Sequence, residues 1–316
     1  MRKKFLLLLA LLFLLAGVIF ILPAVRDHAP EQTKESATEE TESTTETESE
    51  TPTETETESE TETEETTEEE TEGPGDPVDR EKVETHLIIA SDTHYMSPSM
   101  TDYGAAFDSL VNSNDGKVNR YQPQLWQAFK SEVLAANPDA LILSGDLSLN
   151  GEKANHLEFA EKLREIEEAG VPVYVIPGNH DINKPDAGEY FGDQRTDVES
   201  VTSEEFREIY ADFGYNEAKS GAPDSLSYLV ELNDTTWLMM LDTTVCEPEN
   251  EVYGEIKEET LEWMEECLEE AYAEGITVIP VGHHNLQRLS RVYVEECVIE
   301  NCDEVLELFE RYLTPV

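Results

Sequence analysis

Val173-Tyr174-Val175-Ile176-Pro177-Gly178-Asn179-His180-Asp181 is the stretch that decides the fold. Four apolar or aromatic residues suit a buried strand, Pro177-Gly178 stops it, and a string of donor side chains hangs on its carboxyl end. The same design recurs along the chain. Leu141-Ile142-Leu143 runs into Ser144-Gly145-Asp146, Leu87-Ile88-Ile89-Ala90 runs into Asp92-Thr93-His94, and Ile276 to Val281 runs into Gly282-His283-His284. Helical patterns fill the intervals between the first three, Gln124 to Ala136 and Glu152 to Ala169, the latter closed by Gly170. Such alternation predicts a layered α/β sheet.

Beyond the third strand the pattern changes. Ser203 opens a short helix, and strands at Ser227 to Leu232 and Trp237 to Leu241 flank an Asn233-Asp234 turn, the start of a second sheet. A helix from Glu258 to Ala273, with Leu261, Met264, Leu268 and Tyr272 at helical spacing, leads to the last strand, and Asp303 to Tyr312 reads as a final helix. The expected architecture is α/β, two stacked mixed sheets flanked by helices. The three tryptophans sit in apolar patterns and read as core, and His156 and Asp242 read as packing and turn residues.

In an open α/β sheet ligands collect beyond the carboxyl ends of the strands, so four strand ends bearing Asp, Asn or His point at one shared site. Oxygen and imidazole donors without thiolate suit Mn, Fe or Zn. A carboxylate with both oxygens free can bridge two such ions, which together clamp an in-line displacement at phosphorus. Glycines before Asp146, Asn179 and His283 let the backbone approach closely.

Asp92-Thr93-His94, Gly145-Asp146, Gly178-Asn179-His180-Asp181 and Gly282-His283 resemble, in order, the DxH, GD, GNH[DE] and GH motifs of calcineurin-like metallophosphoesterases. Ser144 to Glu152 and Pro177 to Asn183 are most similar to the bacterial members akin to class III cyclic-nucleotide phosphodiesterases. The resemblance implies a four-layer sandwich with two divalent or trivalent metal ions. Asp92 and His94 would bind the first, Asp146 would bridge, and Asn179 and His283 would bind the second, with His284 left open as the alternative to His283. It further implies that His180 faces the substrate phosphate or protonates the leaving oxygen, that Asp181 orients the His180 ring, and that the nucleophile is a metal-bridging hydroxide. The implied activity is hydrolysis of a small phosphodiester such as a cyclic nucleotide. The alternatives are a phosphomonoesterase or nucleotidase, with Met96 to Arg120 and Lys184 to Val201 as pocket-covering loops, and a degenerate, non-catalytic surface binding protein. The family also carries a later GHxH motif, and none lies between His284 and Val316. The expectation is therefore a C-terminally truncated chain, against the alternative of a member that never had the motif.

Residues 1–30 are predicted to form a signal peptide or uncleaved anchor, because Arg2-Lys3-Lys4 precedes an apolar run from Phe5 to Leu22. Residues 31–80 form a Thr/Glu-rich acidic tract with almost nothing to bury, expected to be a disordered spacer, and 81–316 form the catalytic domain. The expected location is extracytoplasmic, at the cell surface or secreted, with N-terminal membrane contact if the anchor is uncleaved. Of the formal net charge of −50, about two thirds lies beyond Arg80, so the domain itself repels polyanions. A small phosphoester is the expected partner, and nucleic acid is not. Oligomeric state is not legible, and the four cysteines support no pairing.

Overall fold

The computed structural model describes residues 78–113, 117–287 and 297–312. The apolar N-terminal run and nearly all of the Thr/Glu tract lie outside them, and among the described residues no helix is long and apolar enough to cross a membrane. Strands β1 (Leu87–Ala90), β2 (Ala140–Ser144) and β3 (Val173–Ile176) pair in parallel in the order β1-β2-β3. Helices α1 (Ala105–Ser113), α2 (Gln122–Ala136) and α3 (Lys153–Glu167) lie between them in sequence. Hairpin β4 (Gly188–Phe191) and β5 (Gln194–Asp197) follows, then α4 (Ser203–Ile209). Strands β6 (Ser220–Gly221), β7 (Tyr228–Asn233), β8 (Thr236–Met240) and β9 (Thr277–Val281) form a mixed sheet, with α5 (Glu258–Glu274) before β9 and α6 (Cys302–Tyr312) at the end.

Alternation along β7 and β8 explains the layering. Tyr228, Val230, Leu238 and Met240 join one buried cluster with Leu141, Leu143 and Val175 of the first sheet. Leu229, Trp237, Met239 and Leu241 point the other way, against Trp263, Leu268 and Phe309 of α5 and α6. The second sheet is thus apolar on both faces, one against the first sheet and one against helices. Phe159 and Leu163 of α3 and Trp126 and Val133 of α2 belong with the first sheet's cluster. Each fully buried side chain of this kind contributes about 1.5–3 kcal/mol.

Several expectations shift in detail. β1, read as a buried strand, is only half covered, with Ile89 57% exposed, because it pairs with β2 on one side alone among the described residues. The segments read as covering loops carry α1 and the β4–β5 hairpin, whose Phe107, Leu110 and Tyr190 pack with Met96, Met100 and Leu149 in a small separate cluster. α4 opens at Ser203 as read, and Thr202 caps it, its hydroxyl accepting from Glu205 N while the Glu205 carboxylate accepts from Thr202 N. The β7–β8 turn is fastened by Asn233 Oδ1, which accepts from Thr235 N at 3.0 Å. At the edge of the first sheet, the buried Tyr228 hydroxyl donates to Val175 O at 2.8 Å and accepts from Val175 N at 3.2 Å.

Candidate metal centre

The loops after β1 and β2 are laced together before any side chain is considered. Asp92 N donates to Gly145 O at 3.1 Å, His94 N to Asp146 O at 2.9 Å and Tyr95 N to Leu147 O at 2.8 Å. Asp92, His94 and Asp146 all take positive φ, 57°, 39° and 52°, a conformation rare for residues with side chains and tolerated where neighbouring structure enforces it. Gly178 cannot be anything larger, since a Cβ there would stand 2.3 Å from both Asp146 N and Asp146 Oδ1.

These turns bring the Asp92, His94 and Asp146 donor atoms within 4.8 Å of one another. His94 Nε2 stands 3.7 Å from Asp92 Oδ1 and 3.5 Å from Asp146 Oδ2, too far for hydrogen bonds and close to the spacing of atoms that share one ion at about 2.1 Å each. The His94 imidazole holds the Asp92 carboxyl well below the usual carboxylate range. Burial pushes that of Asp146 up.

On the other side of Asp146, His283 Nδ1 donates to Ser144 O at 2.9 Å. That bond places a proton on Nδ1 and aims Nε2 toward Asn179 Oδ1 at 3.2 Å and Asp146 Oδ1 at 3.4 Å. Imidazole nitrogen, amide oxygen and carboxylate oxygen facing one point are a donor set that suits a transition-metal cation. Asp146 therefore offers Oδ2 to one group and Oδ1 to the other, and the residues fit a metal pair. His284 faces away, its Nε2 donating to Val252 O at 3.1 Å and its Nδ1 2.6 Å from Thr243 Oγ1, and burial lowers its pKa to about 4.

His180 lies beside this centre, its ring 4.9 Å from that of His94 and its backbone N donating to Asp146 Oδ1 at 2.9 Å. Its Nδ1 meets two acceptors, Asn150 Oδ1 at 2.8 Å and Leu149 O at 3.0 Å, so the proton sits on Nδ1 and Nε2 is left with its lone pair. Burial, with the positive charges of Lys117 and Lys184 adding to it, lowers the His180 pKa to about 3.

Asp181 does not orient that ring. Its fully buried carboxylate accepts from Gly178 N at 2.9 Å and Leu147 N at 3.0 Å through Oδ2, and from Ser148 N at 2.8 Å and Ser148 Oγ at 3.0 Å through Oδ1. Its place is to tie the Asp146 loop to the Asn179 loop, while Asn150 and Leu149 hold His180. His156, on α3, donates from Nε2 to Asp181 O at 3.0 Å and accepts at Nδ1 from the Tyr210 hydroxyl at 2.9 Å, which fits the packing role read for it. Asp242 fastens a turn through Thr244 N and Leu226 N. Of the six residues 92, 94, 146, 179, 180 and 283, all converge.

A family model for the calcineurin-like phosphoesterases matches residues 85–312. The chain belongs to the calcineurin-like phosphoesterase family. This phosphoesterase is accordingly a dinuclear metal-dependent hydrolase of phosphoric esters, with an α/β fold of sheets flanked by helices. No curated protein matches it. A solved dimetal phosphatase from Danio rerio is similar to the phosphoesterase at 12% identity over 75% of this chain and 79% of that one, with a TM-score of 0.45, a likeness too slight to carry an argument.

Asn250 was not foreseen. It lies in the β8–α5 connection, and its Nδ2 donates to Asn179 O at 3.0 Å and Ile182 O at 2.8 Å. An asparagine between Glu249 and Glu251 carries no local pattern that marks it. The cleft beside Asp92 and His94, about 610 Å³, is lined by Thr93, Lys117, Gln122, Trp126 and Phe159 among others.

Proposed function

We propose that this phosphoesterase hydrolyses a small phosphodiester, such as a cyclic nucleotide, at Asp92, His94, Asp146, Asn179, His180 and His283, with Mn, Fe or Zn as the ions. The observation that carries the reading is Asp146 between two donor groups, Oδ2 toward His94 and Oδ1 toward His283. Asp92 and His94 would hold one ion, Asn179 and His283 the other, and Asp146 both. Ions held there supply Lewis acidity, lower the pKa of water and neutralise charge on the phosphoryl oxygens.

Around that chemistry the chain's own residues do two things. The backbone bonds from Asp92 and His94 to Gly145 and Asp146 fix the distance between the first two loops. Asn150 and Leu149 hold the His180 ring with its Nδ1 proton bound, leaving Nε2 as the atom that can accept a proton and pass it to a leaving oxygen. A phosphoryl anion close to Nε2 would oppose the burial that lowers that ring's pKa to about 3. The strongly acidic domain supports a diester over a monoester, because a monoanion is repelled about half as strongly as a dianion.

Purified protein with Mn²⁺ should hydrolyse bis(p-nitrophenyl) phosphate with a higher kcat/KM than p-nitrophenyl phosphate. The reverse order would replace the diester by a monoester, and turnover of neither would favour a non-catalytic surface protein. An extracytoplasmic location is part of the proposal, supported by the charged start and the apolar run to Leu22. Fractionation that leaves the protein in the cytosol would remove it.

A further inference from the structure

The connection from β8 to α5, residues 242–257, reaches both loops of one half of the metal centre and neither loop of the other. At the Asn179 loop, Asn250 Nδ2 donates to Asn179 O at 3.0 Å and Ile182 O at 2.8 Å, and Asn183 Nδ2 donates back to Cys246 O at 3.1 Å. Two carbonyl acceptors fix which way the Asn250 amide points, and its Oδ1 is left buried with no partner. Such an unsatisfied atom is retained against its desolvation cost, as expected of a side chain kept for what its other end holds. At the His283 loop, Thr243 and Val252 clamp His284 by its two ring nitrogens, at 2.6 Å and 3.1 Å. Gly254 lies under the same ring, where a Cβ would come within 2.7 Å of it. His284 is the chain neighbour of His283, and Asn250 holds the carbonyl of Asn179 itself.

We infer that this connection is the positioning element of the Asn179–His283 half, and that Asn250 sets the affinity of one of the two metal sites without touching the ion. The inference rests on the reading that Asn179 and His283 share an ion. Without Asn250 the Asn179 peptide can rotate, and the side-chain oxygen leaves the point where it meets Asp146 Oδ1 and His283 Nε2. The half built on Asp92 and His94 has no contact with residues 242–257 among the bonds described and should not respond.

The test is Mn²⁺ titration of the metal-stripped full chain by calorimetry, with metal analysis of the loaded protein and the thermal midpoint of the stripped protein. Wild type should bind two ions. Asn250→Ala, and the near-isosteric Asn250→Asp, which sets an acceptor against two carbonyls, should each weaken one ion roughly 10- to 100-fold, the range for residues that orient ligands from behind. The other ion should keep its affinity, the stripped protein's midpoint should fall by no more than the few degrees that two lost hydrogen bonds explain, and kcat should recover at high Mn²⁺. Equal weakening of both ions, or wild-type affinity for both, overturns the inference, as does a lowered midpoint that added Mn²⁺ does not rescue in activity. The underlying reading fails separately: if Asn179→Ala and His283→Ala also leave both ions at wild-type affinity, the shared site does not exist and the positioning role falls with it.

Discussion

The two halves of the metal centre are fixed by different means. The Asp92–His94 half is held chiefly by main-chain bonds to the Asp146 loop and by three residues at positive φ, with the Asn119 and Gln122 amides both donating to His94 O, so that no single side chain carries its geometry. The Asn179–His283 half is held by side chains: Asp181 under the Asn179 loop, Asn250 over it, and the Thr243–His284 pair beside His283. Backbone lacing is robust to substitution, because every residue brings the same N–H and C=O. Side-chain bracing can be lost by a single change, so the second half should be the more fragile.

The largest effect should come from the residue common to both halves. Asp146→Asn leaves one oxygen where two are used and should lower kcat about a thousandfold or more, since metal-assisted stabilisation is worth several kcal/mol, with both ions weakened in a binding titration. Loss of one ion only would break the picture of a shared bridge. His180→Gln should lower kcat by about 10²- to 10⁴-fold, the usual share of a proton-transferring residue, while metal content measured by elemental analysis stays at the wild-type value.

Asp181→Asn tests the bracing itself. The amide sets N–H₂ against backbone donors, at Leu147 and Gly178 or at Ser148 depending on its orientation, and should cost about 3 kcal/mol in urea denaturation. Unchanged stability would mean the two loops are held by something other than this carboxylate. The smallest effect lies away from both halves. Burial raises Glu167, at the end of α3, to about 7, partly opposed by the N–H of Val173. The fold therefore favours the protonated form: its contribution is present in full below the ordinary value near 4.5 and is lost as pH rises through about 7. Glu167→Gln should flatten the fall in melting temperature between pH 5 and 7 and leave the metal titration alone.

Much of this was legible in the sequence because glycine and proline mark strand ends, and donors placed after them have few other reasons to cluster. β2, β3 and β9 and, among the converging residues, Asp146, Asn179, His180 and His283 follow from that punctuation, while Asp92 and His94 follow from their place at the end of β1. What was not legible depends on direction. Asp181 follows His180 in the chain, which suggested contact, yet in a tight turn neighbouring side chains diverge, and the carboxylate points under the loop while the ring points over it. Adjacency also left His284 open as the alternative to His283 until Thr243 and Val252, distant in sequence, took it up. Asn250 is the extreme case, since its meaning lies wholly in carbonyls some seventy residues away.

The hydroxyl of Tyr228 reaches from the second sheet to both peptide groups of Val175 in the first. Asp92, Asp146 and Asn179 ride on the first sheet and His283 on the second, so any slip of one sheet over the other would open the metal centre like misaligned jaws. Tyr228 acts as a dowel through that joint, and the alignment of the jaws is set some residues before the active site begins.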